Sequence, residues 1–265
     1  MPDRAKTDIV IYSLNPCNET GIAAYMTNPE EIKERSKNKK GPESTKLLGS
    51  GIKTWWLLLM LPIEDYLLKI RVHPNVLTVA TLLVSAITGL FYHYGWIFAG
   101  GVLVLAGSTF DIFDGRVARA QGLSSESGAF FDSCLDRFSE AFIYLGLLSL
   151  YRDSIFAYVV FLILVSTTMV SYTRARAEGL GVKCELGIMQ RTERVVYLGV
   201  LSVFNFLGNI VAGWMGYAPA DYLLKLSLIL MLVFSSYTAL QRMFHVMSEL
   251  RKRDVQKRIG PEAGA

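Results

Sequence analysis

The sequence predicts an all-α integral membrane protein with six transmembrane helices and an N-terminal interfacial amphipathic helix. Of its 265 residues, 52% are hydrophobic and only 19% are charged. The hydrophobic residues fall in blocks of about 20, the length that crosses the roughly 30 Å hydrocarbon layer of a bilayer. This distribution argues against a soluble enzyme. Three widely spaced cysteines without a CxxC motif argue against a disulfide framework or a zinc module.

Six apolar blocks are predicted to span the membrane, with short polar connections between them. Their extents are 75–94, 96–115, 129–150, 154–173, 195–215 and 222–244. Upstream of them, residues 47–72 combine an apolar stretch and two adjacent tryptophans with Glu64, Asp65 and Lys69. This mixture is typical of an amphipathic helix that lies in the membrane interface, with its tryptophans at headgroup level.

The distribution of positive charge predicts the orientation of the chain in a cell (inner) membrane. Lysine and arginine are enriched on cytoplasmic loops, and 24 of the 27 fall on one side of the predicted spans. Arg152 and Lys225 fall on the other side, and Arg137 lies within the third span. Both termini are therefore expected in the cytoplasm. The basic residues flank spans, which suits anionic lipid headgroups and gives no reason to expect nucleic-acid binding.

Composition divides the chain into four expected segments. They are a polar cytoplasmic extension at 1–46, the interfacial helix at 47–72, the six-span domain at 73–250 and a cytoplasmic tail at 251–265. Within the extension, an asparagine, a proline and two acidic residues at 28–31 predict the start of a short helix over about 29–38.

Four aspartates lie within 26 residues, at the end of the second predicted span and the start of the third. Asp111 and Asp114 are three residues apart, and Asp132 and Asp136 are four apart, so each pair shares a helix face. The short connection makes the two spans antiparallel neighbours, and their acidic ends are expected to converge at the cytoplasmic interface. Ionisable residues close to spans are costly and therefore indicate function.

A divalent cation is the simplest compensation for four carboxylates that repel one another. A site made of oxygen ligands favours Mg²⁺ or Mn²⁺ over zinc, and two such ions can hold a diphosphate during in-line displacement. Two alternatives stay open. The aspartates could pair with Arg116, Arg119 and Arg137 in an ion-pair network, or they could form the ion pathway of a transporter.

The aspartates stand in the pattern DxxDGxxAR(x)8GxxxDxxxD, which begins at Asp111 and ends at Asp136. This pattern resembles the signature of the CDP-alcohol phosphotransferases, and all eight signature residues match at the family spacing. The resemblance extends over roughly 72–247. Two of the matching residues, Gly115 and Gly128, are expected at helix ends, where a missing side chain lets a ligand approach.

The resemblance implies an enzyme that transfers a substituted phosphate from a CDP-linked donor to an alcohol and releases CMP. It implies that Asp111, Asp114 and Asp132 hold two metal ions, Mg²⁺ or Mn²⁺. Asp136 would be the general base that deprotonates the attacking hydroxyl, and it would also touch a metal. The family resemblance further implies a homodimer.

The resemblance also implies a binding site for the CDP-linked lipid. In the family, Gly115 permits close approach of the nucleotide and Arg119 contacts its diphosphate. Ser125 occupies the position of a small hydroxyl residue that contacts the donor. Asn75 and Thr78 belong to a Pro-Asn-x-x-Thr motif at the start of the first span, on the nucleotide side, although helix capping alone would explain the same motif.

A second basic cluster indicates an acceptor that carries its own phosphate. Arg174 and Arg176 end the fourth span, and Arg191 and Arg194 begin the fifth. Positive-inside flanking explains part of this cluster, but arginines also suit a phosphate. The surrounding segments resemble the SY-x-(K/R)-ARAE and ER-x-ER segments of prokaryotic phosphatidylinositol phosphate synthases, with Gln190 where a glutamate is expected.

This second resemblance implies that CDP-diacylglycerol and inositol 1-phosphate react to give phosphatidylinositol phosphate and CMP. An ether-lipid donor would produce the same sequence features. Phosphatidylglycerophosphate synthesis is the nearest alternative, because glycerol 3-phosphate is also a phosphorylated alcohol. An ion-coupled transporter with a carboxylate site is the alternative from a different functional class.

Overall fold

A computed structural model describes residues 72–218 and 220–259, together with Ile63, Tyr66, Leu67, Lys69 and Ile70. All regular secondary structure in these residues is helical. The predicted extension at 1–46, its helix at 29–38 and most of the interfacial helix at 47–72 lie outside the described residues. Those predictions therefore stay predictions.

Seven helices follow one another in the described part of the chain. They are α1 (Pro74–His93), α2 (Ile97–Ala120), α3 (Glu126–Leu150), α4 (Phe156–Gly179), α5 (Arg191–Val203), α6 (Asn205–Trp214) and α7 (Tyr222–Ile259). Helix α1 packs against α2 and α3, α3 packs against α4, and α7 packs along α4. Helix α5 packs against α2 and α7.

The helices correspond in position to the predicted spans, but six spans are not confirmed. Four described helices, α1, α2, α4 and α7, are long and apolar enough to cross a membrane. Helices α5 and α6 make a fifth if they count as one span, broken at Phe204 and bent by 46°. Helix α3 does not qualify, because every stretch of 18 residues within it contains the three charged residues Asp136, Arg137 and Glu140.

Helix α2 extends beyond its predicted end, and this changes the position of Gly115. The helix continues to Ala120 and ends where Gly122 adopts a φ of +67°. The expectation that Gly115 ends a helix is wrong, because one glycine inside a helix costs only about 1 kcal/mol relative to alanine. The burial of Val117 in the next turn helps to offset that cost. Gly128 does lie in the first turn of α3.

Two glycines bring α1 and α3 into close contact. A Cβ atom on Gly146 would overlap the backbone of Gly89, and a Cβ atom on Gly89 would overlap the carbonyl of Phe142. The two backbones therefore approach more closely than any side chain would allow, as is common between membrane helices. This crossing fixes α3 against α1.

Helix α1 also carries a buried polar stripe, formed by Thr78, Thr81, Ser85 and Thr88. The hydroxyls of Thr81, Ser85 and Thr88 each donate a hydrogen bond to the carbonyl four residues earlier, at 2.7 to 3.1 Å. These bonds satisfy the hydroxyl donors within their own helix, so the stripe can pack against neighbouring helices without an unpaired donor. Thr78, the first of the four, lies where α1 meets α2 at the aspartates.

Candidate active site

Helices α2 and α3 bring three carboxylates together. Asp111 and Asp114 from α2 and Asp132 from α3 each offer one oxygen atom, and these three atoms lie within 4.8 Å of one another. Asp114 is buried, whereas Asp111 and Asp132 are partly exposed. The spacing of three within α2 places the first two on one face. Helix α1 packs against both α2 and α3, whereas α2 and α3 scarcely touch each other, so the expectation that these two helices are packed neighbours is wrong for the described residues.

The surroundings of these carboxylates fit a divalent cation. The Thr78 hydroxyl donates to Asp114 Oδ2 at 3.0 Å, so α1 orients that carboxylate. Asp132 Oδ1 is buried and accepts no hydrogen bond from any described residue. A buried carboxylate oxygen without a donor is costly, and a cation would satisfy it. The ligand set is all oxygen, which favours Mg²⁺ or Mn²⁺ over softer metals.

Arg191, the first residue of α5, contacts two of the four signature aspartates. Its Nη1 atom donates to Asp111 Oδ2 at 2.7 Å, and its Nη2 atom lies 2.8 Å from Asp136 Oδ1. Arg137 Nη1 lies 3.9 Å from Asp136 Oδ2 and makes a weaker pair. One guanidinium therefore links α2, α3 and α5, because each of its two terminal nitrogen atoms contacts a different carboxylate. Asp136 lies outside the group of three but is joined to it through Arg191.

The other predicted acceptor arginines lie in two different environments. Arg174 is exposed and pairs with Glu178 at 2.9 Å, one turn further along α4. Arg176 is also exposed. Arg194 is buried, with 2% of its side chain exposed, and it pairs with Glu140 of α3. Of these three arginines only Arg194 is buried, and its position in the sequence does not predict that difference.

The predicted donor-lipid residues lie around the aspartates and at the adjoining helix ends. Arg119 folds back over Gly115, where a Cβ atom would lie 3.4 Å from Arg119 Nη1. Ser125 caps α3 by accepting a hydrogen bond from the backbone of the third helical residue at 3.1 Å. Asn75 is exposed in the first turn of α1. The side chain of Thr78 contacts a signature aspartate, Asp114.

Sequence reasoning missed two features of the site. Glu140 continues the four-residue spacing of Asp132 and Asp136, and that spacing is the signal that would have identified it as a third acid on the same face. Gln190 is the N-cap of α5, in a capping box with Glu193: its N–H donates to Glu193 Oε2 at 3.0 Å. The glutamine therefore has a local structural role at the position where a glutamate was expected.

Comparison with known proteins assigns the chain to a family. Residues 71–248 match the family model of the CDP-alcohol phosphatidyltransferases. The chain belongs to this family. It is therefore an enzyme that transfers a phosphatidyl-type group, and the three clustered aspartates together with Asp136 lie within the matched residues.

Relatives and solved structures are similar over most of the chain. An archaetidylinositol phosphate synthase of Methanothermobacter thermautotrophicus is 31% identical over 190 residues, which cover 72% of this chain and 89% of that protein. A crystal structure of Mycobacterium tuberculosis phosphatidylinositol phosphate synthase with CDP-DAG bound has a TM-score of 0.59 at 29% identity, covering 70% and 92%. A second, in complex with manganese and citrate, has a TM-score of 0.60 at 28% identity, covering 70% and 88%.

Replacing Asp132 with asparagine tests whether the three carboxylates bind a cation. We expect the affinity for Mn²⁺ to fall about tenfold or more, because one anionic ligand becomes neutral while the side chain keeps its shape. The affinity is measured by titrating purified protein with Mn²⁺ and following the electron paramagnetic resonance signal of the unbound ion. Asp153→Asn is the matched control, since Asp153 is exposed and pairs with Arg152. Equal affinities in both variants would contradict the assignment.

Replacing Arg191 with glutamine should have the opposite effect on the same titration. The Arg191 guanidinium neutralises Asp111 and Asp136, so its removal leaves more negative charge for a cation and should tighten Mn²⁺ binding. Arg174→Gln, at an exposed pair with Glu178, is the control and should change little. Weaker Mn²⁺ binding in Arg191→Gln would mean that Arg191 instead holds the carboxylates in their binding geometry.

Proposed function

We propose that this enzyme is a phosphatidylinositol phosphate synthase. It transfers the phosphatidyl group of CDP-diacylglycerol, or the corresponding group of an ether-lipid analogue, to inositol 1-phosphate and releases CMP. The names of its relatives support the lipid product. The observation that carries the choice of a phosphorylated acceptor is the direct contact of Arg191 with the carboxylate cluster.

The reaction needs a site where a lipid from the bilayer meets a water-soluble alcohol, and we propose six membrane spans around that site. Helix α3 is the span that composition alone does not identify. Its 25 residues rise about 37 Å, enough to cross a bilayer. It packs between α1 and α4, which are themselves candidate spans. Its acids gather towards its N-terminal end, which would lie at the cytoplasmic face.

The charge asymmetry of the sequence supports cytoplasmic termini and a cytoplasmic active site. In this arrangement the extension at 1–46 and the tail at 251–265 are cytoplasmic, residues 47–72 lie in the interface, and residues 73–250 form the catalytic domain. The donor reaches the site laterally from the bilayer, and the acceptor reaches it from the cytoplasm. We propose a homodimer by analogy with the family.

We propose that Asp111, Asp114 and Asp132, together with Asp136, hold two Mg²⁺ ions, with Mn²⁺ as a substitute. Bound ions would neutralise the diphosphate of the donor and stabilise the departing CMP. The ligand set and the unpartnered oxygen of Asp132 support this assignment, and a relative's structure in complex with manganese agrees with it.

The residues assigned to the donor surround the signature aspartates. Arg119 and Gly115 would receive the diphosphate and the nucleotide, because the exposed Arg119 guanidinium lies directly over the glycine. Asn75, Thr78 and Ser125 complete the proposed donor site from the starts of α1 and α3. The Thr78 hydroxyl, which donates to Asp114, orients that carboxylate.

Asp136 would be the general base. Its carboxylate takes the proton of the acceptor hydroxyl as that oxygen attacks the phosphorus bearing the diacylglycerol, and the bond from this phosphorus to the CMP oxygen breaks. Arg191 would hold the acceptor phosphate beside this carboxylate, with Arg174 and Arg176 as further ligands. Arg194 faces Glu140 in the described geometry, so we assign it to the support of the site.

The release of CMP from CDP-diacylglycerol tests this function directly. Purified enzyme with Mg²⁺ would receive inositol 1-phosphate, glycerol 3-phosphate, inositol or serine, one at a time. We expect release with inositol 1-phosphate, because its phosphate can pair with the arginines. Release with glycerol 3-phosphate alone would make the enzyme a phosphatidylglycerophosphate synthase. No release with any of these acceptors, from either a diacyl or an ether-lipid donor, would contradict the proposed acceptor class.

Replacing Asp136 with asparagine should lower kcat by about two to four orders of magnitude, because the amide cannot accept the hydroxyl proton. Single-turnover CMP release in detergent micelles measures the effect. Asp153→Asn provides the matched control, and thermal unfolding of both variants checks their folds. A kcat near the wild-type value in Asp136→Asn would show that another group takes the proton.

A further inference from the structure

Arg242 is a buried arginine in the middle of α7, far along the chain from the signature aspartates. Only 3% of its surface is exposed. Its Nε atom donates to the carbonyl of Leu186 at 2.6 Å, and its Nη1 atom donates to the carbonyl of Val170 at 2.7 Å. A buried cation is costly unless its hydrogen bonds are made. Here those bonds tie two separate segments of backbone to α7.

Leu186 belongs to residues 180–190, the connection between α4 and α5, and α7 holds this connection at further points. The Thr238 hydroxyl, one turn before Arg242, accepts hydrogen bonds from the backbone N–H groups of Ile188 and Met189 at 3.3 and 3.2 Å. Gly187 has a φ of +136°, and a Cβ atom there would overlap Thr238. The connection therefore lies directly on α7.

The beginning of the same connection is held by a second arginine of α7. Arg253 donates from Nη1 to the carbonyl of Leu180 at 2.9 Å and from Nη2 to the carbonyl of Gly181 at 2.6 Å. Unlike Arg242, it is exposed. The connection is thus fixed by side chains of one helix at its start, middle and end.

The C-terminal end of the connection, which α7 holds in place, leads directly into the active site. Met189 is fully buried, and Arg191 follows it by two residues as the first residue of α5. Arg194 Nη1 lies 3.5 Å from the Met189 carbonyl. The position of Arg191 relative to Asp111 therefore depends on where α7 places residues 186–189.

We propose that Arg242 is a positioning residue for the acceptor. It acts through residues 186–189 to hold Arg191 at the carboxylate cluster, and so it sets the affinity for the phosphorylated alcohol. This inference rests on the proposed function, in which Arg191 holds the acceptor phosphate. It adds a residue that lies outside the family signature.

The test compares Arg242→Lys with Arg251→Lys, an exposed arginine of the same helix. A lysine keeps the positive charge but lacks the planar fork that reaches two carbonyls. We expect Arg242→Lys to raise the acceptor KM about tenfold, the effect of losing one charged hydrogen bond. The donor KM and kcat should stay within about twofold, and Arg251→Lys should match the wild type. Parallel increases in both KM values, or a lower kcat alone, would overturn the inference.

A double-mutant cycle separates positioning from general stability. Binding of inositol 1-phosphate, measured by isothermal titration, is compared in wild type, Arg242→Lys, Arg191→Gln and the double variant. If Arg242 acts through Arg191, the double variant should bind as weakly as Arg191→Gln alone. Additive losses would overturn the inference, because they would mean that Arg242 affects the acceptor independently.

Thr238→Val provides a second route to the same result if Arg242→Lys does not fold. It removes the hydroxyl that accepts from Ile188 and Met189, and it should also raise the acceptor KM selectively. An unchanged acceptor KM in a folded Thr238→Val enzyme would count against the inference. Wild-type enzyme is measured first, and failure of the wild type to use or bind any phosphorylated alcohol would overturn the proposed function and this inference together.

Discussion

Repulsion among the carboxylates that α2 and α3 bring together is the constraint on which the rest of this structure depends. Asp111, Asp114 and Asp132 lie close enough to share one cation, and like charges at such distances are unfavourable without a counter-charge. The described part of the protein supplies that charge from α5, through Arg191. The same guanidinium extends the cluster to Asp136.

The packing of the bundle serves to hold these charges in place. The glycine contact between α1 and α3 sets how closely those helices approach, and the Thr78 hydroxyl of α1 orients Asp114. On the other side, Arg194 pairs with Glu140. Buried ion pairs contribute little net stability on average. The effect of the Arg194–Glu140 pair is therefore to hold the start of α5 close to α3.

Periodicity within one helix made the aspartates predictable. Spacings of three and four residues place side chains on one face whatever the surroundings, and a short connection keeps the adjoining ends of α2 and α3 close together. The contact between Arg191 and Asp111 was not predictable in the same way, because 80 residues separate them. The end of α2 was misplaced at Gly115, since local propensity is weaker than the burial of the residues that follow. The capping role of Gln190 is visible only in the backbone geometry of α5.

Anomalous diffraction from crystals grown with Mn²⁺ tests the central claim most directly, because it locates the cation and Arg191 in one experiment. We expect anomalous density bounded by Asp111, Asp114 and Asp132, with the guanidinium of Arg191 moved away from Asp111. Manganese bound elsewhere, or no manganese bound while Arg191 keeps both aspartate contacts, would contradict it. In that case the carboxylates and Arg191 would form a permanent ion-pair network in place of a metal site.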